Sequence, residues 1–127
     1  MSCGNKTHIV TDAARIIKSP NYPKKYPGGL DCKMLLLVET GSKVAIQFLN
    51  FSVEPGDWFG CWDWIDIYDG RNSHADALES RLCGNHFVGK NVIATENSMF
   101  ITFHSRKGGS RGFFRFRITK GKNFSCI

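Results

Sequence analysis

Hydrophobic and polar residues alternate along several short runs of this chain, and no long stretch repeats at helical spacing. Phe113-Phe114-Arg115-Phe116-Arg117-Ile118-Thr119 puts Phe114, Phe116 and Ile118 on one side of an extended strand and Arg115 and Arg117 on the other. Trp62 through Tyr68 and Met99 through His104 are aromatic and β-branched, as half-buried strands are, and Lys43 through Leu49 alternates more loosely. Turn formers separate the runs: Pro20, Pro23 and Pro27, then Glu54-Pro55-Gly56-Asp57, Asp69-Gly70-Arg71-Asn72 and Gly108-Gly109. Short strands punctuated in this way predict an all-β fold, an antiparallel β-sandwich or barrel. Asp12 through Ile17 reads as a helical turn, cut short by Pro20.

At 127 residues, with 42% hydrophobic and 22% charged residues, the composition fits one folded domain over residues 1–127, with 120–127 expected as a flexible C-terminal tail leading to a further module. No run approaches the roughly 18 apolar residues of a membrane helix. The polar start after Met1 carries no secretory leader pattern, which taken alone suggests the cytosol. Five cysteines in so short a chain, with no C-x-x-C pair, argue instead for a disulfide framework and an extracellular setting. Met1 is therefore read as standing where a removed leader or an upstream domain would be. Sequons at Asn5, Asn50 and Asn123 agree with a secreted glycoprotein.

The net charge of +6 is unevenly spread. Residues 51–80 hold seven acids (Glu54, Asp57, Asp63, Asp66, Asp69, Asp76, Glu79) against Arg71 alone, whereas residues 97–127 hold seven bases and no acid.

Several ordered motifs carry a family resemblance: Cys3-Gly4, then Ser19-Pro20-Asn21-Tyr22-Pro23 with Tyr26-Pro27, Cys32, Cys61-Trp62-Asp63-Trp64-Ile65-Asp66-Ile67-Tyr68-Asp69-Gly70, Leu82-Cys83-Gly84, and Gly112-Phe113. Together they resemble a CUB domain over essentially the whole chain. The resemblance implies a jellyroll-like sandwich on the outside of the cell, working as a non-catalytic binding module, with Cys3 paired to Cys32 and Cys61 to Cys83. Bridges of those spans contribute roughly 3–4 kcal/mol each. Cys126 is left over, to pair with a following module or with a second copy. Where the family usually has Trp, two residues after the second cysteine, this chain has Met34, so the core repacks around a more flexible side chain.

Many domains of this kind bind calcium with a Glu, two Asp and a supporting Tyr. The matching positions here are Glu54, Asp63 and Tyr26, with Arg106 in place of the second Asp. Calcium takes six to eight hard oxygens, and the exchange removes a carboxylate and adds a cation, so no calcium and no other cofactor is expected. Arg106 is expected either to fork onto Glu54 or Asp63 or to point into solvent. A protein partner is assigned to the loops holding Glu54, Trp58, Phe59, Asp63 and Arg106. Trp58 and Phe59 read as an interface anchor or as a lid folded over the core.

A second reading uses the basic tail. Lys107, Arg111, Arg115, Arg117, Lys120 and Lys122 could hold a sulfated glycosaminoglycan or another polyanion, as seminal-plasma members of the family do, or form a solvated face. Nucleic acid fits poorly, because Phe114 and Phe116 face the core and cannot stack on bases. No catalytic site assembles. Gly108-Gly109-Ser110-Arg111-Gly112 matches G-x-S-x-G but precedes a strand, not the helix a nucleophile elbow requires. His8, His74, His86 and His104 show no ligand spacing.

Overall fold

The computed structural model describes residues 3–11, 13–58, 60–108 and 112–122, the last of these, Lys122, by its backbone only. They form nine strands: β1 (Asn5–Ile9), β2 (Arg15–Lys18), β3 (Asp31–Leu37), β4 (Ser42–Ser52), β5 (Trp64–Tyr68), β6 (Ala77–Leu82), β7 (Asn91–Ile93), β8 (Ser98–His104) and β9 (Phe113–Lys122). A five-stranded sheet in the order β1-β3-β8-β5-β6 and a four-stranded sheet in the order β2-β9-β4-β7 make the two layers of a sandwich. Pairing is antiparallel except between β1 and β3, which run parallel.

The alternation read from the sequence fills the space between the layers. Phe114, Phe116 and Ile118 of β9 are fully buried, facing Met34, Leu36, Ile65, Ile67, Ile101 and Phe103 of the other sheet. Each such side chain contributes roughly 1.5–3 kcal/mol of transfer free energy. Met34 does take the core position expected of it. The loose alternation of β4 has a local cause: the register shifts between Phe48 and Asn50, so Phe48 and Phe51 both turn inward.

Asp12 lies outside the described residues, and Arg15–Ile17 of the expected helical turn belong instead to the strand β2, whose Arg15, Ile16, Ile17 and Lys18 pair with Ile118, Arg117, Phe116 and Arg115. Two adjacent isoleucines suit a pleated surface, and the free edge of β9 supplies hydrogen bonds that no four-residue helix could match. Disulfides join Cys3 to Cys32 and Cys61 to Cys83. The second ties the loop before β5 to the residue following β6.

Candidate functional site

Three loops meet at one end of the sandwich: residues 19–30 before β3, 53–58 and 60–63 before β5, and 105–108 with 112 before β9. Tyr26 and Asp63, both wholly buried, hold them together. The Tyr26 hydroxyl donates to Asp63 Oδ2 at 2.6 Å and accepts from the Glu54 amide at 3.1 Å. Asp63 Oδ1 accepts from the Arg106 amide at 2.8 Å. A buried carboxylate is costly unless satisfied, and here each oxygen takes a hydrogen bond from a different loop. Burial, and then the bond to Asp63, pushes the Tyr26 phenol far above its usual range. Ser105 Oγ adds a stitch, accepting from Leu30 N and donating to Pro27 O. The chains run so close that a Cβ on Gly28 would lie 2.5 Å from the Arg106 carbonyl oxygen.

Arg106 does not fork onto a carboxylate: it is exposed, with its guanidinium stacked over the Trp62 ring, 4.2 Å from the centroid, and among the described residues no ion pair joins it to Glu54 or Asp63. In the bend before β5 Asp63 is buried and Trp62 only half-buried, and the Arg106 amide is drawn to Asp63 while its side chain lies over Trp62.

Glu54 is brought to this end as expected, though its backbone rather than its carboxylate joins the hub. It lines an open groove of about 250 Å³ with Ser52, Pro55, Gly84, Asn85 and His86. As a calcium shell the cluster is short. Both Asp63 oxygens are engaged, the third carboxylate is an arginine, and the described residues hold no group of three His, Cys, Asp or Glu placed for a metal.

Trp58 is 92% exposed, so the lid reading is overturned for this residue. Asp57 and Gly60 exchange backbone hydrogen bonds of 3.2 and 3.1 Å and hold the residue up on a tight turn. Beneath it Gly56 has φ +78°, with space for no Cβ, since one would lie 2.2 Å from Gly60 O. Phe59 lies outside the described residues.

The basic residues do not form one cluster. Arg115 and Arg117 share the outer face of β9, as read from the sequence, and Arg117 Nη2 donates to Gln47 Oε1 at 2.6 Å. Lys120 has the opposite parity, and its Nζ meets Glu39 Oε1 at 2.6 Å at the other end of the sandwich. It therefore does not continue the Arg115/Arg117 face. Lys107 is exposed on the loop before β9. Arg111, Asn123, Cys126 and the Lys122 side chain lie outside the described residues.

Besides Lys43 on β4, two residues that lie beside Arg115 were missed in the sequence. Lys18 stands directly opposite Arg115 across β2 and β9, and Tyr22 lies beside both, its ring centroid 5.9 Å from the Lys18 Nζ and 5.9 Å from the Arg115 Cζ. Reading β2 as helix hid Lys18, because only strand pairing puts it there. Of the sequons, Asn5 is exposed on β1, while Asn50 is half-buried on β4, with its Oδ1 accepting from the Tyr22 hydroxyl at 2.9 Å.

A CUB domain model matches residues 3–117. Neuropilin-2 of Mus musculus is 30% identical over 120 residues, covering 87% of this chain and 13% of that protein. Cubilin of Canis lupus familiaris is 37% identical over 100 residues, covering 76% of this chain and 2% of that protein. The chain thus spans a small part of the curated relatives it matches. Among solved structures, the CUB2 domain of MASP-1 bound to Ca2+ superposes with a TM-score of 0.75 at 26% identity, covering 93% of this chain and 99% of that one.

Proposed function

The chain belongs to the CUB domain family, and on that premise we propose that it binds an extracellular protein partner through the loop end that presents Trp58, without calcium. CUB domains are extracellular protein-interaction modules, carried as non-catalytic parts of larger proteins. The disulfides agree with that setting. The observation that carries the finer reading is Trp58, a large aromatic 92% exposed on a turn braced from below by Gly56. Aromatic anchors on pre-ordered loops lose little entropy on docking and dominate interface energies. The Arg106–Trp62 stack lies on the same loop end and offers a flat, cationic flank for an acidic rim on the partner.

The calcium-free reading is supported by Arg106 standing where a further carboxylate is expected, and by the Tyr26 hydroxyl and Arg106 amide each taking an oxygen of Asp63. An array of secreted proteins and ectodomains, probed with the domain in calcium and in chelator, tests both parts. Binding that falls at least about tenfold with Trp58→Ala and survives chelation is expected. Binding that ignores Trp58 or is lost in chelator would overturn the proposal.

A second reading, polyanion binding, is favoured by one observation: β2, β4, β7 and β9 contain no Asp or Glu, so the outer face of their sheet displays Lys18, Lys43, Arg115 and Arg117 without a carboxylate among its strand residues.

A further inference from the structure

We infer that Asn5 carries an N-linked glycan whose first sugars lie over Leu35 and Phe100 on the outer face of the five-stranded sheet. The inference goes beyond partner docking, for it names a modified residue and the surface that its glycan covers.

The sequence supplies the acceptor, Asn5-Lys6-Thr7, and the fold supplies room for it. β1 is the outermost strand of its sheet, next to β3 alone, and Asn5 and Thr7 are both exposed on it. A glycan is bulky and polar, and an edge strand carries it without disturbing the layers. The second sequon is placed differently. Asn50 is half-buried on β4, a strand with neighbours on both sides, and its Oδ1 accepts from the Tyr22 hydroxyl. Attachment at Asn5 is a transfer from a lipid-linked oligosaccharyl diphosphate. Asn5 Nδ2 forms a bond to the anomeric carbon of the first N-acetylglucosamine, and the bond from that carbon to the diphosphate oxygen breaks. The lipid diphosphate leaves with the electron pair, and one Nδ2 proton passes to a base of the transferase.

Register sets what the sugars meet. Asn5 pairs with Lys33 and Thr7 with Leu35, while Leu35 pairs in turn with Phe100, and Phe100 with Tyr68. Cys32, Met34 and Leu36 of β3 are buried, so the alternate residues Lys33 and Leu35 face outward, level with Asn5 and Thr7. Asn5, Thr7, Lys33, Leu35, Arg71 and Phe100 line one shallow cleft of about 110 Å³. Its floor is apolar and its rim is cationic. A pyranose matches both: one face of C–H bonds packs on an aromatic ring, and the hydroxyl and acetamide oxygens around it accept from Lys33 and Arg71. Strands lie about 4.8 Å apart, so Phe100, two strands from Asn5, is roughly 10 Å across the sheet, the reach of about two sugars. Leu35, Phe100 and Tyr68 are half-buried in one row, with the Tyr68 and Phe100 centroids 6.2 Å apart, and the glycan covers this apolar strip of an outward face.

The test starts with chain secreted from a eukaryotic host. Release of its glycans by an amidase in heavy-oxygen water converts each modified Asn to a labelled Asp, which peptide mapping locates. Label at position 5 in most molecules is expected, and an unlabelled Asn5 would overturn the proposal. The seat is then read by melting. Asn5→Gln should lower the midpoint of the secreted chain by about 3 °C, but by less than about 1 °C when Phe100→Ala has removed the ring beneath the sugar. Phe100→Leu, which keeps apolar bulk, serves if the alanine variant does not fold. In chain made without glycan, Asn5→Gln should shift the midpoint by less than about 1 °C, which separates the sugar from the side chain. Equal shifts with and without the Phe100 ring would overturn the seat. No readout here involves Trp58, so its failure is distinct from failure of the partner reading.

Discussion

At the loop end Asp63 is wholly buried with a hydrogen bond to each oxygen, whereas on the outer face of the four-stranded sheet Lys18 stands opposite Arg115 with no acid on any strand of that sheet. The acidic middle of the sequence and its basic tail thus end up doing different work. The carboxylate with most influence on the fold is consumed inside the protein, tying three loops together. Lys18, Lys43, Arg115 and Arg117 lie on the outer face of the four-stranded sheet, whose strands carry no acid.

The largest expected effect bears on how the loop end is held. Reducing both disulfides should remove roughly 3–4 kcal/mol each, most of a small domain's net stability, and a melt with and without reductant should show the transition collapse. A transition that stays in place would mean the hydrogen-bonded hub alone suffices. Next comes Asp63→Ala, which strands the Tyr26 hydroxyl and the Arg106 amide without acceptors and should cost about 3 kcal/mol or more in denaturant unfolding. Arg115→Gln on the open face should change stability by about 0.5 kcal/mol or less. If the two substitutions cost the same, the contrast drawn between the regions fails.

Tyr26 sharpens the comparison through pH. Its phenol is raised in the folded state, by burial first, so the folded chain holds that proton where the unfolded chain has released it. The resulting stability is fully present below the unfolded value of about 10 and falls as pH rises beyond it. Tyr26→Phe should be less stable than wild type near neutrality by about 1–2 kcal/mol, with the gap closing in alkali. The smallest effect belongs to the open face. Lys18→Glu replaces a repulsive cross-strand pair with an attractive one and should stabilise the fold by about 0.2–1 kcal/mol while weakening heparin binding.

Much of this was legible in the sequence. The alternation of β9 gave its buried and exposed faces directly, and the motif resemblance brought Tyr26, Asp63 and Glu54 to one place. What stayed hidden depends on partners distant along the chain. β2 is a strand because β9 offers it an edge, and no local pattern in Arg15-Ile16-Ile17-Lys18 states that. The direction of Arg106 is set by capture of its amide, not its side chain. Lys120 lies apart from Arg115 and Arg117 through the same strand parity that separates Phe116 from Arg117. Exposure of Trp58 depends on the Asp57–Gly60 turn closing beneath it.

The central claim is that hydrogen bonds, in place of an ion, order the loop end from which Trp58 projects. Amide hydrogen exchange of the Arg106 and Glu54 N–H groups, measured in chelator and then in millimolar calcium, tests it most directly. Both amides should be protected in chelator, with the same protection when calcium is added, because their acceptors are Asp63 and Tyr26. Rapid exchange in chelator that slows on adding calcium would contradict the account.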